Sequence, residues 1–308
     1  MKDQAGYEPD EVALLYHYCS PSTLLAIFQS SSLRLSDIGA MNDSMERQWG
    51  LDVLEEELAS RKDLVESPLM EVMERAIYRA TSASICLASC FSTDGDVLSQ
   101  WRAYADNGAG FAIGFDPRVF QTLPASLLEV CYDRQLQAGR IADGVDHIID
   151  LYHRIGMPDT SAIGQQLSQQ SGPAEGGMTP LVKWQIDQVT SAARFLVHDL
   201  VAFKSPAFRE EAEVRMVHHV SLDPSTGKIE LVPTRFLQAL PDGRQPQLNF
   251  LMRGSVPICY TDLPIPKSAV KEVVLGPRAA VDESAIQRLL STLGFSGVQT
   301  SRSTASYR

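Results

Sequence analysis

The chain has 308 residues, 44% of them hydrophobic, and a formal net charge of -11. That length can bury a sizeable core, as one large domain or two small ones. The acidic balance argues against broad electrostatic attachment to nucleic acid or anionic membrane, though a local basic cleft could still exist. No apolar run approaches the roughly 20 residues that cross a bilayer, and the polar opening Met1-Lys2-Asp3-Gln4 does not read as a signal peptide. A cytoplasmic protein with no membrane partner is expected. Cys19, Cys86, Cys90, Cys131 and Cys259 are odd in number and sit mostly in apolar stretches, which suits reduced, buried thiols. Cys86 and Cys90 are four apart, but no second Cys/His pair follows at zinc spacing, so no metal is expected.

In chain order, Val12 to Cys19 reads as a first strand. Ser20-Pro21 then supplies an N-cap and a first-turn proline for a helix with Leu24, Leu25, Ile27 and Phe28 on its buried stripe. His17 therefore ends a strand just before a helix, either as a hydrogen-bonded structural histidine or facing a ligand. Leu33 to Leu35 is a short strand. Asp43 and Glu46 form a capping box for a helix over 44–60, leaving Asn42 to bond a ligand or close the turn. A helix over 69–80 follows.

Residues 84–92 read as a strand, and Asp96 as the cap of a short helix that carries Trp101 and Tyr104 at i and i+3. Gly110 to Asp116 is a strand whose Ala112 and Gly114 leave one face nearly bare, a surface that lets another backbone or a flat ligand approach. Leu127 to Tyr132 alternates as a strand. A mostly helical excursion spans 137–203: a helix over 137–156, a polar connection from Met157 to Thr179 expected to be mobile, and the longest helix from Pro180. Short strands follow at 228–232, 255–260, where Pro257 suggests an edge, and 271–275. Then come a helix capped by Asp282 and a terminal strand at 297–301. No Gly-x-Gly-x-x-Gly follows a strand and no Walker-type loop occurs, so a doubly wound dinucleotide fold is disfavoured and the class is α+β.

The chemistry-bearing stretch is Phe208 to Val217. Strand alternation puts Glu211, Glu213 and Arg215 on one face and Val214 and Met216 on the other. Two carboxylates on one face repel unless a cation, a substrate hydroxyl or a proton intervenes. The pattern fits an acid/base site or a charged strand end.

With Tyr16-His17-Tyr18, Asn42-Asp43-x-x-Glu46, Cys90-Phe91-Ser92, Trp101-x-x-Tyr104-Ala105, Gly110 to Asp116, Phe203-Lys204, Glu211-x-Glu213-x-Arg215 and Leu275-Gly276-Pro277 in family order, the chain resembles the bacterial group called domain-of-unknown-function family 2971. It departs from that pattern at Ser44, where a proline is usual, and at Val214, where an aromatic is usual. More distantly, the layout resembles ADP-ribosyltransferases. That resemblance implies a core of two facing, mostly antiparallel sheets gripping NAD as co-substrate, with flanking helices and the helical insertion. It implies His17 on the cofactor's ribose, Tyr104 stacked on nicotinamide, Glu213 as the catalytic carboxylate and Glu211 helping to deprotonate an acceptor. Arg215 would hold Glu213 ionised or contact the pyrophosphate, and Asn42 and Ser92 would complete the cofactor contacts. The acceptor would be an unidentified protein or nucleic acid, or water in an NAD glycohydrolase. Two other readings stand beside it: a noncatalytic ligand-sensing or protein-interaction domain, and a nucleic-acid-processing hydrolase of bacterial defence.

Overall fold

The computed structural model describes residues 7, 14–40, 45–62, 67–82, 84–155, 180–222, 229–231 and 247–306. Asn42, Asp43 and the 157–179 connection lie outside the described residues.

The elements run β1 (Leu15–Cys19), α1 (Pro21–Ser30), β2 (Ser32–Asp37), α2 (Met45–Ser60), α3 (Ser67–Ser82), β3 (Ser84–Ser92), α4 (Leu98–Ala103), β4 (Phe111–Phe115), α5 (Pro117–Phe120) and β5 (Ser126–Glu129). There follow α6 (Arg134–Ile155), α7 (Pro180–Leu200), β6 (Glu213–Leu222), β7 (Ile229–Leu231), β8 (Asn249–Arg253), β9 (Val256–Pro264), β10 (Val270–Leu275), α8 (Glu283–Thr292) and β11 (Gln299–Arg302). Local signals act where the sequence places them. Ser20 accepts from the Thr23 N–H with Pro21 in the first turn, and Asp282 accepts from the Ala285 N–H.

Pairing among the described strands is antiparallel except for β10 with β11. Rather than two separate facing sheets, it forms one network in the order β11-β10-β4-β1-β3-β2-β9-β8, with β5, β6 and β7 branching from β3. The branch exists because β3 is longer than its neighbours on one edge. β6 covers β3 from Ser84 to Ser92. On the opposite edge β1 reaches only Ser92, and β2 only Leu87 and Ala88. The sheet forks between those contacts, over Ser89, Cys90 and Phe91.

One face of the network carries the largest core, where Leu15, Phe91, Phe115, Val214, Met216 and Val273 meet Phe28 of α1 and Ile286 and Leu290 of α8. A second core lies mainly among helices, with Val53 of α2, Met73 of α3, Ile141 and Val145 of α6, and Leu196 of α7, and reaches Cys131 and Phe203 at their base. Ala88, Leu128, Ala202 and Val217 join that bundle to the sheet.

The structure refines the sequence reading at several positions. β9 lies between β2 and β8, but β2 covers it only from Tyr260 to Pro264, so Pro257 has a strand partner, Met252, on one side alone among the described residues, as a proline without an N–H requires. The strand β8 has no clear period in the sequence and is missed. Along α7, Val189, Leu196 and Leu200 are buried, while the apolar side chains of Leu181, Trp184 and Phe195 are exposed. Gly114 is not open to a ligand: the Tyr16 ring occupies that space, lodged between Gly95 and Gly114, where an added Cβ would stand 2.6 and 3.0 Å from Tyr16 Cε1.

Candidate functional site

A cleft of about 270 Å³ opens at the fork of the sheet. Ala88 and Cys90 from one face of β3 and Ser89 and Phe91 from the other all line it, as expected where a strand loses its neighbour. The remaining walls come from distant segments: Tyr16, His17 and Tyr18 on β1, Arg34 and Ser36 on β2, Gln100 and Tyr104 at α4, then Lys204, Glu211, Glu213 and Arg253.

His17 bridges the fork. Its Nδ1 lies 2.9 Å from the Cys90 carbonyl, which can only accept, so Nδ1 carries the proton and Nε2 is left as an acceptor. Burial lowers the pKa of this imidazole below its ordinary value, against a smaller opposite effect of the Cys90 carbonyl, and so favours the neutral ring.

The floor is a buried cluster of four charges. Arg215 grips Glu213 in a fork, Nε to Oε1 at 2.8 Å and Nη2 to Oε2 at 2.9 Å, and its Nη1 donates to the Val201 carbonyl at 2.7 Å. Lys204 Nζ donates to Glu213 Oε2 at 3.0 Å and also to Glu211, and lies 5.0 Å over the Phe208 ring. Desolvation by itself would raise the Glu213 pKa; the Arg215 charge and hydrogen bonds, the Lys204 charge and the Cys90 thiol outweigh it and hold the carboxylate at about 2. Glu213 is thus ionised at neutral pH.

The two glutamates meet, but not as strand neighbours. Glu211 ends a 3₁₀ turn, Pro206–Glu211, capped by Ser205, and Ala212 follows in the left-handed region at φ 43°. Only Glu213 belongs to β6. The turn at Ala212 redirects the chain, and Lys204 then draws both carboxylates to one ammonium group.

Lys204 is the functional-site residue that residue-by-residue reading missed. Its position depends on the helical excursion closing at its base. The Cys131 N–H donates to the Ala202 carbonyl at 2.7 Å, and the Lys204 N–H to the Cys131 carbonyl at 3.2 Å. Buried Gln137 donates to the carbonyls of both Cys131 and Lys204. The available signal was Phe203-Lys204 directly after the long helix, a charge where the apolar stripe ends. Arg34 and Arg253 were missed as well. Arg34 is held by a paired contact to Asp262, at 2.8 and 3.0 Å, and lies 3.8 Å over the Tyr260 ring.

Other predicted residues separate. Trp101 is fully buried, donating through Nε1 to Asp96 at 2.8 Å, while Tyr104, 40% exposed, faces the cleft. Burial, then the nearby Glu211, pushes the Tyr104 phenol pKa up, so it stays protonated. Asp96 is not the cap of α4, whose N-cap is Val97; it binds Trp101 and the terminal segment at Ser303 and Thr304 instead. Ser92 is buried, accepts from the Asp94 N–H at 3.1 Å, and lies outside the cleft lining. Arg215 supports Glu213 from behind and does not line the cleft.

Among the described residues no helix is long and apolar enough to cross a membrane. No curated protein and no solved structure matches the chain. The family model described as "Protein of unknown function (DUF2971)" matches residues 100–216, so the chain is similar to that family over the segment that supplies Tyr104, Lys204, Glu211, Glu213 and Arg215.

Proposed function

We propose that the chain is an ADP-ribosyltransferase-like enzyme that uses NAD to modify a macromolecular acceptor, with NAD hydrolysis as the reaction when water takes the acceptor's place. One observation carries the reading: His17, Tyr104, Glu211 and Glu213, from three distant parts of the chain, line a single cleft. The link is short, since His17 binds the Cys90 carbonyl and the Cys90 thiol bonds Glu213.

In this reaction the bond between ribose C1′ and the nicotinamide nitrogen breaks, and its electron pair leaves with nicotinamide. An acceptor oxygen or nitrogen bonds C1′ and gives up its proton. The ribose passes through an oxocarbenium-like state, which a fixed carboxylate stabilises. Glu213, kept ionised and immobile by Arg215 and Lys204, suits that task. Glu211 is placed to take the acceptor's proton. Neutral His17 offers Nε2 to a ribose hydroxyl, and Tyr104 offers a ring face to nicotinamide.

A second reading is favoured by the same floor: Arg215 and Lys204 already engage Glu213 on both oxygens, as in a structural ion cluster of a noncatalytic ligand-binding domain. Incubating the purified protein with adenylate-labelled NAD and cell extract separates the two. The enzyme reading expects nicotinamide release and label transfer, both falling at least a hundredfold in Glu213→Gln. A folded wild type that yields neither product overturns it.

A further inference from the structure

We propose that the outer edge of β8 is the docking site for the acceptor, and that the acceptor is a protein segment in extended conformation that adds a strand to the sheet there. This rests on the transferase reading in one respect, that a macromolecular acceptor exists.

Among the described residues the outer edge of β8 has no strand partner. Arg253 pairs with Val256 across the two-residue turn Gly254-Ser255, and Gly254, at φ 60°, takes the first position that a type II′ turn reserves for glycine. In such a hairpin the closing pair exchanges both backbone hydrogen bonds, and bonding alternates from there. Arg253, Leu251 and Asn249 therefore bond inward to β9, and the N–H and C=O groups of Phe250 and Met252 point outward.

The side chains match. Phe250 and Met252 are 60% and 63% exposed, two apolar groups at strand spacing on one face. Edge strands ordinarily carry lysine, proline or a bulge that discourages pairing; β8 carries none until Arg253. Other edges differ. β5 already takes the Tyr7 N–H at Leu127, and β11 has the polar sequence Gln299-Thr300-Ser301-Arg302.

Position and charge select the occupant. Arg253 lines the cleft, so a strand laid along β8 ends beside the reacting centre. The net charge of -11 opposes extended contact with the phosphate backbone of a nucleic acid. Backbone pairing supplies affinity, and pockets for alternate side chains supply selectivity.

The test uses the full chain and an immobilised library of unstructured decapeptides, with single-stranded oligonucleotides as competitor. Met252→Pro removes an outward N–H and no bond to β9; Phe250→Ser with Met252→Ser keeps the backbone and removes the apolar face. The expected result is retention of peptides with alternating apolar residues, and at least tenfold weaker binding in each variant, with an unchanged melting temperature and unchanged nicotinamide release in water. No retained peptide, equal binding by Met252→Pro, displacement by oligonucleotide, or a β8-dependent dimer in sedimentation would each overturn the proposal. If the wild type releases no nicotinamide, the enzyme reading fails while the peptide result still decides the docking site.

Discussion

Lys204 Nζ lies 3.0 Å from Glu213 Oε2, and the two side chains are 3% and 5% exposed. One comes from the base of the helical excursion and the other from the first residue of β6. Their contact, with Arg215 and Glu211, makes a buried cluster of two cations and two anions. Desolvating four charges is costly, and only complete mutual pairing offsets it.

Removing one partner therefore unbalances the rest. Lys204→Met is expected to lower unfolding stability by about 3–5 kcal/mol in urea titration, the range for breaking a buried pair. Lys204→Met combined with Glu211→Gln restores neutrality and should recover part of that loss. A double variant as unstable as the sum of its single changes would show that the two residues are not coupled.

The acid limb of stability should carry the signature of Glu213. Its folded pKa of about 2 lies below its ordinary 4.5, so its contribution is fully present above about pH 5 and is lost as pH falls toward 2. The whole contribution is on the order of 3 kcal/mol. Wild type and Glu213→Gln, compared by denaturant unfolding from pH 6 downward, should converge as the pH drops. A constant gap would contradict the pairing.

Trp101 and Tyr104 sit three residues apart and should behave oppositely. Trp101 is fully buried among Tyr18, Ala105, Ala112 and Val274, so Trp101→Ala is expected to cost about 3–5 kcal/mol. Tyr104→Ala should change stability by less than about 1 kcal/mol, while lowering NAD turnover. Calorimetry and nicotinamide release read the two effects separately.

For His17, nitrogen-15 correlation spectra should show the Nδ1–H tautomer at neutral pH, with a titration midpoint below the ordinary 6.5 because burial disfavours the charged ring. His17→Gln should retain the fold and reduce nicotinamide release by roughly tenfold to a hundredfold. A midpoint above 6.5 would place a negative charge nearer the ring than the cleft geometry has it.

Much of the frame was legible in residues. Ser20-Pro21 and Asp282 mark helix starts because capping is local, and the strands at 84–92 and 110–116 announce themselves by composition. That His17 and Tyr104 line one cleft with the two glutamates follows from the fork in the sheet, which no local pattern encodes. What escaped was nonlocal or broke periodicity. Ala212 in a left-handed conformation carries no compositional mark, so Glu211 read as a strand residue. Asp96 read as a cap because its partners, Ser303 and Thr304, lie about two hundred positions away. The short, largely exposed β8 lacks the half-buried alternation that identifies a strand.

The scattered origin of the cleft walls sets when in folding the cleft can form. His17 reaches across 73 positions to Cys90, and Tyr16 across 256 to Glu272. Such contacts need long loops to close first and so form late in folding. A growing chain has its acidic residues long before β10 emerges to hold Tyr16, and until then it has carboxylates without a binding cleft. The cleft should therefore form only with completion of the sheet, and fragments ending before β10 should lack it whatever site residues they contain.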